Sequence, residues 1–481
     1  MQKPSAYFLP YNFPRHLRAV ALLLCLCCSL GLLAQGVSEI VFYDEAGMLR
    51  YRADGENNYV PDFSHAGYHN GEVPLPEVPT VLTIQPVADD NTAHIQAALD
   101  ELAARTPDAN GYRGALLLEA GVYDVSGQLF IRESGMVLRG VGQAETSADN
   151  TIIRGLGNTP ERRNLIVMGP ISSAPNWAAA VTGTESIVTA PFTPNGSRTL
   201  EVAAAELYRE GDNVVVFHPS TEDWLRSIDF GATASDDPWR VGDLDMFYNR
   251  YVTEVNIPES KIILDAPIYD HLDRSLAQAR VYRINTQNLK RESGIENLRI
   301  DVVTEGELVE NHVRTTVFLN GLEDCWIKDV TALNFSYALV DMRNTTRVTV
   351  TGCAALEPHS PILGARRYNF NVSSRSNNIL FANNTASEGR HTFVSNGASS
   401  AAGIVFTASS SDRDLNPSEG HRRWSQGLLF DDLTFTNSNT VNLLNLYNRG
   451  DFGTGHGWSS VHSVAWNVTT PSNRGMIIQK P

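Results

Sequence analysis

The chain has 481 residues, 42% of them hydrophobic, and its 54 acidic and 38 basic side chains give a formal net charge of −16. This length and apolar content are enough for two or three ordinary domains or for one elongated repeat architecture. The negative charge argues against nucleic acid and anionic membranes as general partners.

The N-terminus has the features of a targeting segment. Arg15 and Arg18 precede the apolar run AVALLLCLCCSLGLLAQ, which ends in small residues. A basic region, a hydrophobic region and a small-residue cleavage site predict a signal peptide over residues 1–34, and hence a secreted or periplasmic product. Three of the five cysteines fall in this segment. The two that remain, Cys325 and Cys353, are predicted to be buried and unpaired.

Residues 35–90 are predicted to form an N-terminal arm. Its stretch PDFSHAGYHNG carries His65 and His69, to which we assign a structural role over the open end of the fold. The next stretch, NTAHIQAALDELAAR at 91–105, places apolar residues at i, i+3, i+4 and i+7, which predicts an amphipathic helix. This helix is expected to cap the first coils of a sheet structure within 91–196.

Short apolar strands separated by glycine turns follow the helix, with no second helix between them. This spacing excludes a doubly wound sheet. Residues 197–290 then depart from the pattern and predict one β-rich insertion. We expect the insertion to wall a binding cleft and to bring Trp224 or Trp239 to it, where an indole face can stack on a sugar ring.

The strand pattern returns with a period over 291–481. Segments such as GIENLRID, DCWIKDVTAL, RVTVTGCAAL and NILFANNTAS can be superimposed at spacings of about 23–32 residues. Asn and Asp recur after the apolar positions, where left-handed turns are needed. The pattern predicts an all-β, right-handed parallel β-helix. The final coil has no capping helix after it, which favours truncation at the C-terminus.

Three stretches carry a resemblance to a known family. PDFSHAGYHNG, LLLEAGVYDVSGQLFIRESGMVLRGVG and GIENLRI resemble the pectate-lyase-like superfamily of secreted parallel β-helix proteins, and more narrowly a bacterial branch of it. The resemblance implies the fold and a polysaccharide partner. Because the superfamily includes lyases, hydrolases and non-enzymatic members, it does not by itself assign an activity. It also makes calcium a possible cofactor, although no acidic ladder in the sequence points to one.

A cationic stripe is predicted within the main coils. Residues 360–424 contain seven arginines, two histidines, four acids and no lysine. Equivalent positions in successive coils stack about 4.8 Å apart, so these cations should line one face. Arginine forks suit carboxylate or sulfate recognition. The stripe comprises His312, Arg366, Arg367, Tyr368, Arg390, His391, His421, Arg422, Arg423, Trp424, Arg449, His456 and Trp458. The alternative is that these arginines are solvated or paired with Glu388, Asp412, Asp414 and Glu419.

The stripe favours a polysaccharide lyase that acts on an acidic, uronate-containing chain. In this hypothesis Arg390 and Arg367 neutralise the carboxylate, His391 removes the C5 proton and Tyr368 returns a proton to O4. His421 and Arg423 complete the predicted catalytic set. Arg366, Arg422, Trp424, Arg449, His456, Trp458 and His312 would bind substrate. The enzyme is expected to be a monomer.

Two alternatives stay open. The stretch GTGHGWS around His456 resembles the Gly-His-Gly motif of polygalacturonase-type hydrolases, with Asp431 and Asp432 lying 24 residues upstream. Inverting hydrolysis by that pair would need two carboxyls about 6.5–9.5 Å apart. The other alternative is a glycan-binding β-helix protein without catalysis. An unsaturated uronate product would identify the lyase, and new reducing ends without it would identify the hydrolase.

Overall fold

The computed structural model describes residues 38–157, 162–232, 238–306 and 308–479. The predicted signal segment 1–34 lies outside them. The described chain divides into two units after Asp54. In the first unit, β1 (Val41–Tyr43) pairs antiparallel with β2 (Leu49–Tyr51). No helix among the described residues is long and apolar enough to span a membrane.

The second unit, from Gly55, begins with the first coils of a β-helix. Its strands there are β3 (Thr80–Ile84), β4 (Gly114–Leu118), β5 (Gly121–Val125), β6 (Leu129–Ile131), β7 (Met136–Arg139), β8 (Thr151–Gly155) and β9 (Asn164–Met168). They pair in parallel with strands of neighbouring coils. β3 already pairs with β4, so the coils start inside the segment predicted as arm.

The chain then leaves the coil. The insertion contains β10 (Ser186–Ile187), β11 (Phe192–Thr193), β12 (Thr199–Glu201), β13 (Asn213–His218), β14 (Met246–Asn256), β15 (Lys261–Leu264), β16 (Leu272–Asp273) and β17 (Arg280–Arg283). These strands pair antiparallel. Because β10 and β11 belong to it, the insertion begins before the predicted residue 197. It is β-rich, as expected.

The main coils follow. Their strands are β18 (Lys290–Arg291), β19 (Gly294–Val302), β20 (Thr315–Asn320), β21 (Leu322–Leu333), β22 (Ala338–Arg343), β23 (Thr345–Thr351), β24 (Ala354–Leu356), β25 (Phe370–Val372), β26 (Ser376–Ala382), β27 (Thr385–Ser387), β28 (Phe393–Ser395), β29 (Ala402–Asp412), β30 (Ser418–Gly420), β31 (Ser425–Thr436), β32 (Asn442–Leu446), β33 (Ser460–Val461), β34 (Val464–Trp466) and β35 (Gly475–Ile478). All of their interstrand pairs are parallel, which confirms the predicted right-handed parallel β-helix.

The coils form two sheets around one core. The long sheet has sixteen described strands, and the second sheet runs in the order β35-β32-β30-β28-β25-β22-β20-β9-β6. Inside, like residues stack from coil to coil: the rings of Phe370 and Phe393 lie 5.7 Å apart with planes 8° from parallel. Phe381, Phe406 and Phe430 form a second such ladder. Each rung buries apolar surface against its neighbours, so the coils are stable only as a stack.

The helices are few and short. α1 (Thr92–Ala104) is the predicted amphipathic helix, and it buries Ile95, Leu99 and Leu102 in the same core as the first coils. The insertion adds α2 (Glu222–Ser227), and α3 (Phe452–Gly455) is a single irregular turn. Five 3₁₀ turns lie at Phe63–His65, Tyr68–Gly71, Ala205–Leu207, Asp229–Gly231 and Ala398–Ser400.

The arm stretch PDFSHAGYHNG, which carries His65 and His69, does not lie over the open end as predicted. It crosses the outer face of the long sheet, where the Tyr68 N–H donates to Thr349 Oγ1 at 2.9 Å and the His69 N–H donates to Asp324 Oδ1 at 3.0 Å. Gly67 lies so close to Thr349 and Leu380 that a Cβ there would clash with both.

Two local predictions are confirmed. Asn and Asp residues occupy left-handed backbone conformations at recurring turn positions, among them Asn297, Asp329, Asn383 and Asp432. Cys325 and Cys353 are both buried and free.

Candidate active site on the outer face of the second sheet

A column of polar side chains lies on the outer face of the second sheet. Register pairs Asp341 with Asn371, Asn371 with Val394, and Val394 with Glu419. Neighbouring side chains rise alternately to opposite faces of a strand, so these four share the outer face while Phe370 and Phe393 point into the core. Asp341 and Glu419 are each only 1% exposed. Larger side chains from the adjoining turns therefore cover the column.

Those larger side chains form what we call the Tyr368 cluster. Its members are Tyr337, Tyr368, Arg390, His391, Glu419, His421, Arg449 and His456. The ring of Tyr368 lies 5.1 Å from that of His391 and 5.3 Å from those of Tyr337 and His421. The ring of His421 in turn lies 5.1 Å from that of His456. Five successive coils, those that carry β22, β25, β28, β30 and β32, thus contribute side chains to one contiguous group.

A hydrogen-bonded chain runs through the middle of the cluster. Arg390 Nη1 donates to the Tyr368 hydroxyl oxygen at 3.1 Å. The same hydroxyl lies 3.1 Å from His421 Nε2, and His421 Nδ1 lies 2.6 Å from Glu419 Oε1. With its proton on Nδ1, His421 donates to the carboxylate and accepts the phenolic proton at Nε2. A carboxylate therefore orients an imidazole that faces a hydroxyl, the arrangement used to activate hydroxyl groups in many enzymes.

His391 lies behind this chain. Its Nδ1 is 2.7 Å from the Pro417 carbonyl oxygen and 3.2 Å from Glu419 Oε1, and its Nε2 has no partner among the described residues. The prediction that His391 faces an open groove is wrong, because the residue is 2% exposed and packs against Tyr368 and His421. Arg390 is half-buried, and the Arg449 side chain is only 6% exposed.

The Glu419 carboxylate of the cluster is bound by the Arg449 guanidinium. Arg449 Nη1 donates to Glu419 Oε1 and to the His421 carbonyl oxygen, both at 2.7 Å. His391, Glu419 and His421 resemble a set of metal ligands by residue type. They do not suit an ion, because Arg449 already neutralises the carboxylate.

The electrostatics keep the histidines neutral. Burial lowers the pKa of His391 to about 3, with Glu419 opposing the shift, and burial together with the positive charge of Arg449 lowers that of His456 to about 3. Burial also holds the pKa of His421 well below its usual range. Burial raises the pKa of Glu419 and of Tyr368, while Arg390 opposes the shift at Tyr368. At neutral pH the site therefore holds unprotonated imidazoles beside a phenol.

Part of the predicted stripe lies elsewhere. The Arg367 carbonyl accepts from the N–H groups of Arg390 and His391, so the coil alignment is correct. Its side chain, however, turns away and donates to Ser360. Arg366 forms a two-pronged ion pair with Glu310. These two arginines satisfy local acceptors, so the stripe is not one continuous cationic surface.

His312 and the indoles also lie outside the cluster. His312 is 1% exposed and packs against His359. Trp424 donates from Nε1 to Asp270 at 2.7 Å and contacts Trp224 and Trp239 edge-on, while Trp458 packs against the same core. All of these predicted sugar platforms are instead packing residues of the junction between the insertion and the coils.

The insertion does form the wall of a cleft, as expected. A cavity of about 630 Å³ lies between its segment 242–247 and the turns that follow the second-sheet strands. Arg343, Arg375, Arg422 and Arg423 line the coil side. The Arg375 guanidinium lies 5.5 Å from the ring centroid of Phe247, on the opposite wall. The neighbouring residue of Arg422 is His421, so the cleft adjoins the Tyr368 cluster.

Four residues in the Tyr368 cluster or in contact with it were not predicted from the sequence. They are Arg314, Tyr337, Asp341 and Asn371. Arg314 lies 3.8 Å from the ring centroid of Tyr337, whose hydroxyl accepts from Asn371 at 3.0 Å. Aligning SYAL at 336–339 with the later RYNF stretch would have found Tyr337, since tyrosine recurs one coil apart.

The hydrolase pair is not assembled. Asp431 and Asp432 lie on β31 of the long sheet, whereas His456 packs against His421 on the second sheet. The 24 residues between Asp432 and His456 equal the length of one coil. They do not bring the two residues to equivalent positions, because α3 and its flanking turns interrupt the coil that carries His456. Asp341 and Glu419 are three strands apart, or about 14 Å at the usual strand spacing, which exceeds the separation that inverting hydrolysis needs.

No family model matches the chain, and no curated protein matches it. Among solved structures it is similar to the tailspike protein gp49 from Pseudomonas phage LKA1, at 13% identity and a TM-score of 0.45 over 73% of this chain and 52% of that one. It is also similar to the gp54 tailspike of Acinetobacter baumannii bacteriophage AP22 in complex with capsular saccharide, at 10% identity, a TM-score of 0.37 and coverage of 81% and 63%.

An alginate lyase from Paenibacillus sp. str. FPU-7 matches at 8% identity and a TM-score of 0.38, over 82% of this chain and 97% of that one. This chain spans between about half and two-thirds of the length of the two tailspikes. At these identities and TM-scores the likenesses carry no argument about activity or substrate. The parallel coils establish the fold independently.

Proposed function

We propose that the chain is a secreted or periplasmic polysaccharide lyase that cleaves an acidic, uronate-containing polysaccharide by β-elimination. The observation that carries the proposal is the hydrogen-bonded chain from Arg390 through Tyr368 and His421 to Glu419. β-Elimination needs a base, an acid and a cation near the uronate carboxylate, and these three elements adjoin one another here.

Proton transfer is assigned to Tyr368 and His421. The neutral His421 imidazole removes the C5 proton of the uronate at Nε2, beside the Arg390 guanidinium that faces the carboxylate. The C4–O4 bond breaks, O4 takes the phenolic proton of Tyr368, and a C4=C5 double bond remains. The proton on His421 Nε2 then returns to the Tyr368 oxygen across their 3.1 Å contact. Atoms and electrons balance without water or an oxidant.

This assignment moves the base from His391, the residue favoured by the sequence, to the Tyr368–His421 pair. His391 and Tyr368 are both 2% exposed, but His391 Nδ1 faces the Pro417 carbonyl oxygen, whereas the Tyr368 hydroxyl meets Arg390 and His421. Its position against Tyr368 and Glu419 suits a positioning role. Arg390 reaches the rim of the cluster and is well placed to meet a carboxylate.

The adjoining cleft supports an acidic substrate. Four of its lining residues are arginines and two are aspartates, in a chain whose net charge is −16. Concentrating guanidinium groups on one wall of a cleft attracts an anionic chain despite the overall negative charge. Arg422 lines the cleft and is the chain neighbour of His421, which supports a polysaccharide path from the cleft to the Tyr368 cluster.

Incubation with a panel of uronate polysaccharides and their uncharged analogues tests the proposal. We expect ultraviolet absorbance from an unsaturated uronate, appearing only with the acidic substrates. New reducing ends without that absorbance would contradict elimination and favour hydrolysis. Tight binding of the acidic chains without any product would instead favour a glycan-binding role.

A further inference from the structure

The junction between the insertion and the last coils contains a second polar cluster, separate from the Tyr368 cluster. Asp270 lies between β15 and β16 of the insertion and is 0% exposed. Its Oδ1 is 2.9 Å from His462 Nε2 and 3.2 Å from His271 Nδ1. His462 belongs to the turn between β33 and β34, so the group spans two parts of the chain nearly two hundred residues apart.

The structure assigns this group as a site for a divalent transition-metal ion of the zinc class, which joins the insertion to the last coils. Two imidazole nitrogens and one carboxylate oxygen are ligands that zinc takes in proteins. The three atoms lie within 4.8 Å of one another. Ligand atoms of a tetrahedral zinc ion are about 3.4 Å apart, so small side-chain rotations suffice.

The carboxylate is already oriented for this task. Trp424 Nε1 donates to Asp270 Oδ2 at 2.7 Å, and the His271 backbone N–H donates to Oδ1 at 2.8 Å. Such outer hydrogen bonds fix a ligating carboxylate and raise metal affinity. The ring of His271 is stacked on Phe192 at 5.3 Å, which limits its rotation.

Two other groups of histidine and carboxylate exist among the described residues, and each is neutralised by arginine. Arg449 binds Glu419 in the Tyr368 cluster, and Arg347 binds Asp324 beside His69. No lysine or arginine contact to Asp270 occurs among the described residues. Among the described residues, the two histidines are the only titratable bases that contact its buried charge, which suits a cation better than either alternative site.

The location of the Asp270 group indicates how an ion could enter and what it would stabilise. The side chains of His271 and His462 are 33% and 27% exposed, so an ion can enter and a water molecule can supply the fourth ligand. The ion would hold β16 of the insertion against the coil that carries β33 and β34. Because the insertion walls the arginine-lined cleft, the metal would stabilise the shape of that cleft.

Metal binding by the full chain provides the test. After dialysis against a chelator, zinc is added back and followed by calorimetry and by metal analysis. We expect about one zinc ion per chain and a higher melting temperature with zinc. Cobalt(II) should give the visible absorption of a tetrahedral nitrogen–oxygen site in the unmodified protein.

Variants locate the ion. His462→Asn is chosen because His462 has a φ of +47° and Asn tolerates that conformation, and His271→Gln removes the second nitrogen. Each should lower zinc affinity at least about tenfold, whereas His94→Gln, on the exposed face of α1, should not. Absence of a stoichiometric zinc ion, or unchanged affinity in His462→Asn, would overturn the assignment.

Discussion

Two regions of this β-helix contain the same residue types but differ in what those residues can do. The Tyr368 cluster on the second sheet and what we call the arm network, beneath the N-terminal arm on the long sheet, each combine tyrosine, histidine, glutamate and arginine. The arm network consists of Tyr68, His69, Tyr112, Glu292, Asp324 and Arg347. Comparing them separates groups that stabilise from groups that can react.

In the arm network the donor side chains already bond to carboxylates. Glu292 accepts hydrogen bonds from Tyr68, Tyr112 and His69 at 2.6–2.7 Å. Burial alone would raise the pKa of Glu292, but these three donors bring it below its usual range. The hydrogen bond to Glu292 raises the pKa of His69. The result is an ionised, saturated network that fastens the arm to the long sheet.

In the Tyr368 cluster, burial is the largest cause of the lowered histidine pKa values, and the histidines are therefore neutral. The Tyr368 hydroxyl faces an imidazole acceptor rather than a carboxylate, so its proton has somewhere to go and can return. The comparison teaches that the partner of the tyrosine, more than the residue types present, decides which region can carry out proton transfer.

The largest expected effect comes from removing the Tyr368 hydroxyl, with removal of the Tyr112 hydroxyl as the comparison. Tyr368→Phe should lower kcat by about 10²–10⁴-fold, because it deletes the proton-transfer group while keeping the ring packing. Tyr112→Phe, the matched change in the arm network, should leave kcat within about twofold, since it removes only the hydrogen bonds of Tyr112 with Glu292 and Tyr68. Product absorbance measures both. Equal losses in the two variants would break the distinction between the regions.

Stability should distinguish the two glutamates. Glu419→Gln should lower the free energy of unfolding by about 3 kcal/mol, because it leaves the buried Arg449 guanidinium without its anion. Glu292→Gln should cost about 1 kcal/mol, since the amide oxygen can still accept from the surrounding donors. Denaturant unfolding monitors both. A larger loss in Glu292→Gln would show that the arm network, and not the cluster, depends on the buried charge.

The two histidines should give opposite pH dependence of stability. The pKa of His391 falls from 6.5 unfolded to about 3 folded, so the unfolded chain takes up the proton first as pH falls. Its contribution is complete above pH 6.5 and declines towards pH 3, by about 1.4 kcal/mol per pH unit at most. His391→Asn should therefore flatten the acid side of the stability profile.

His69 should show the reverse sign. Its folded pKa is raised, so its contribution is complete below pH 6.5 and is lost as pH rises through the folded value. His69→Asn keeps a residue that tolerates the φ of +45°. It should destabilise the protein more at pH 6 than at pH 9. Parallel profiles for the two variants would contradict the assigned charge states.

The smallest effect concerns the cleft. Arg375→Gln should raise KM for the acidic substrate about three- to tenfold with kcat unchanged, because it removes one guanidinium from the binding wall. The difference should shrink at high salt, which screens such contacts. Arg226→Gln is the control, since that arginine pairs with Glu222 on an exposed helix face. A fall in kcat for Arg375→Gln would place it in the proton-transfer machinery instead.

Much of the fold was predictable from short-range patterns. Helix α1 follows from its 3.6-residue periodicity, and the coils follow from recurring apolar strands with Asn or Asp at turns such as Asn297 and Asp432. The alignment of Arg367 with Arg390 was also correct, since the backbone of one coil bonds to the next. The site was predicted in part: Tyr368, Arg390, His391, His421, Arg449 and His456 do meet.

The sequence by itself determined the repeat, its strands and which coil carries each candidate residue, because these depend on spacing along the chain. Only the tertiary structure decided where each side chain points. Arg367 and Arg390 hold equivalent positions, yet Arg367 turns to Ser360 while Arg390 reaches the Tyr368 hydroxyl. Trp424 became a packing residue because the insertion folds back onto it. Such choices depend on long-range partners, which no periodicity encodes.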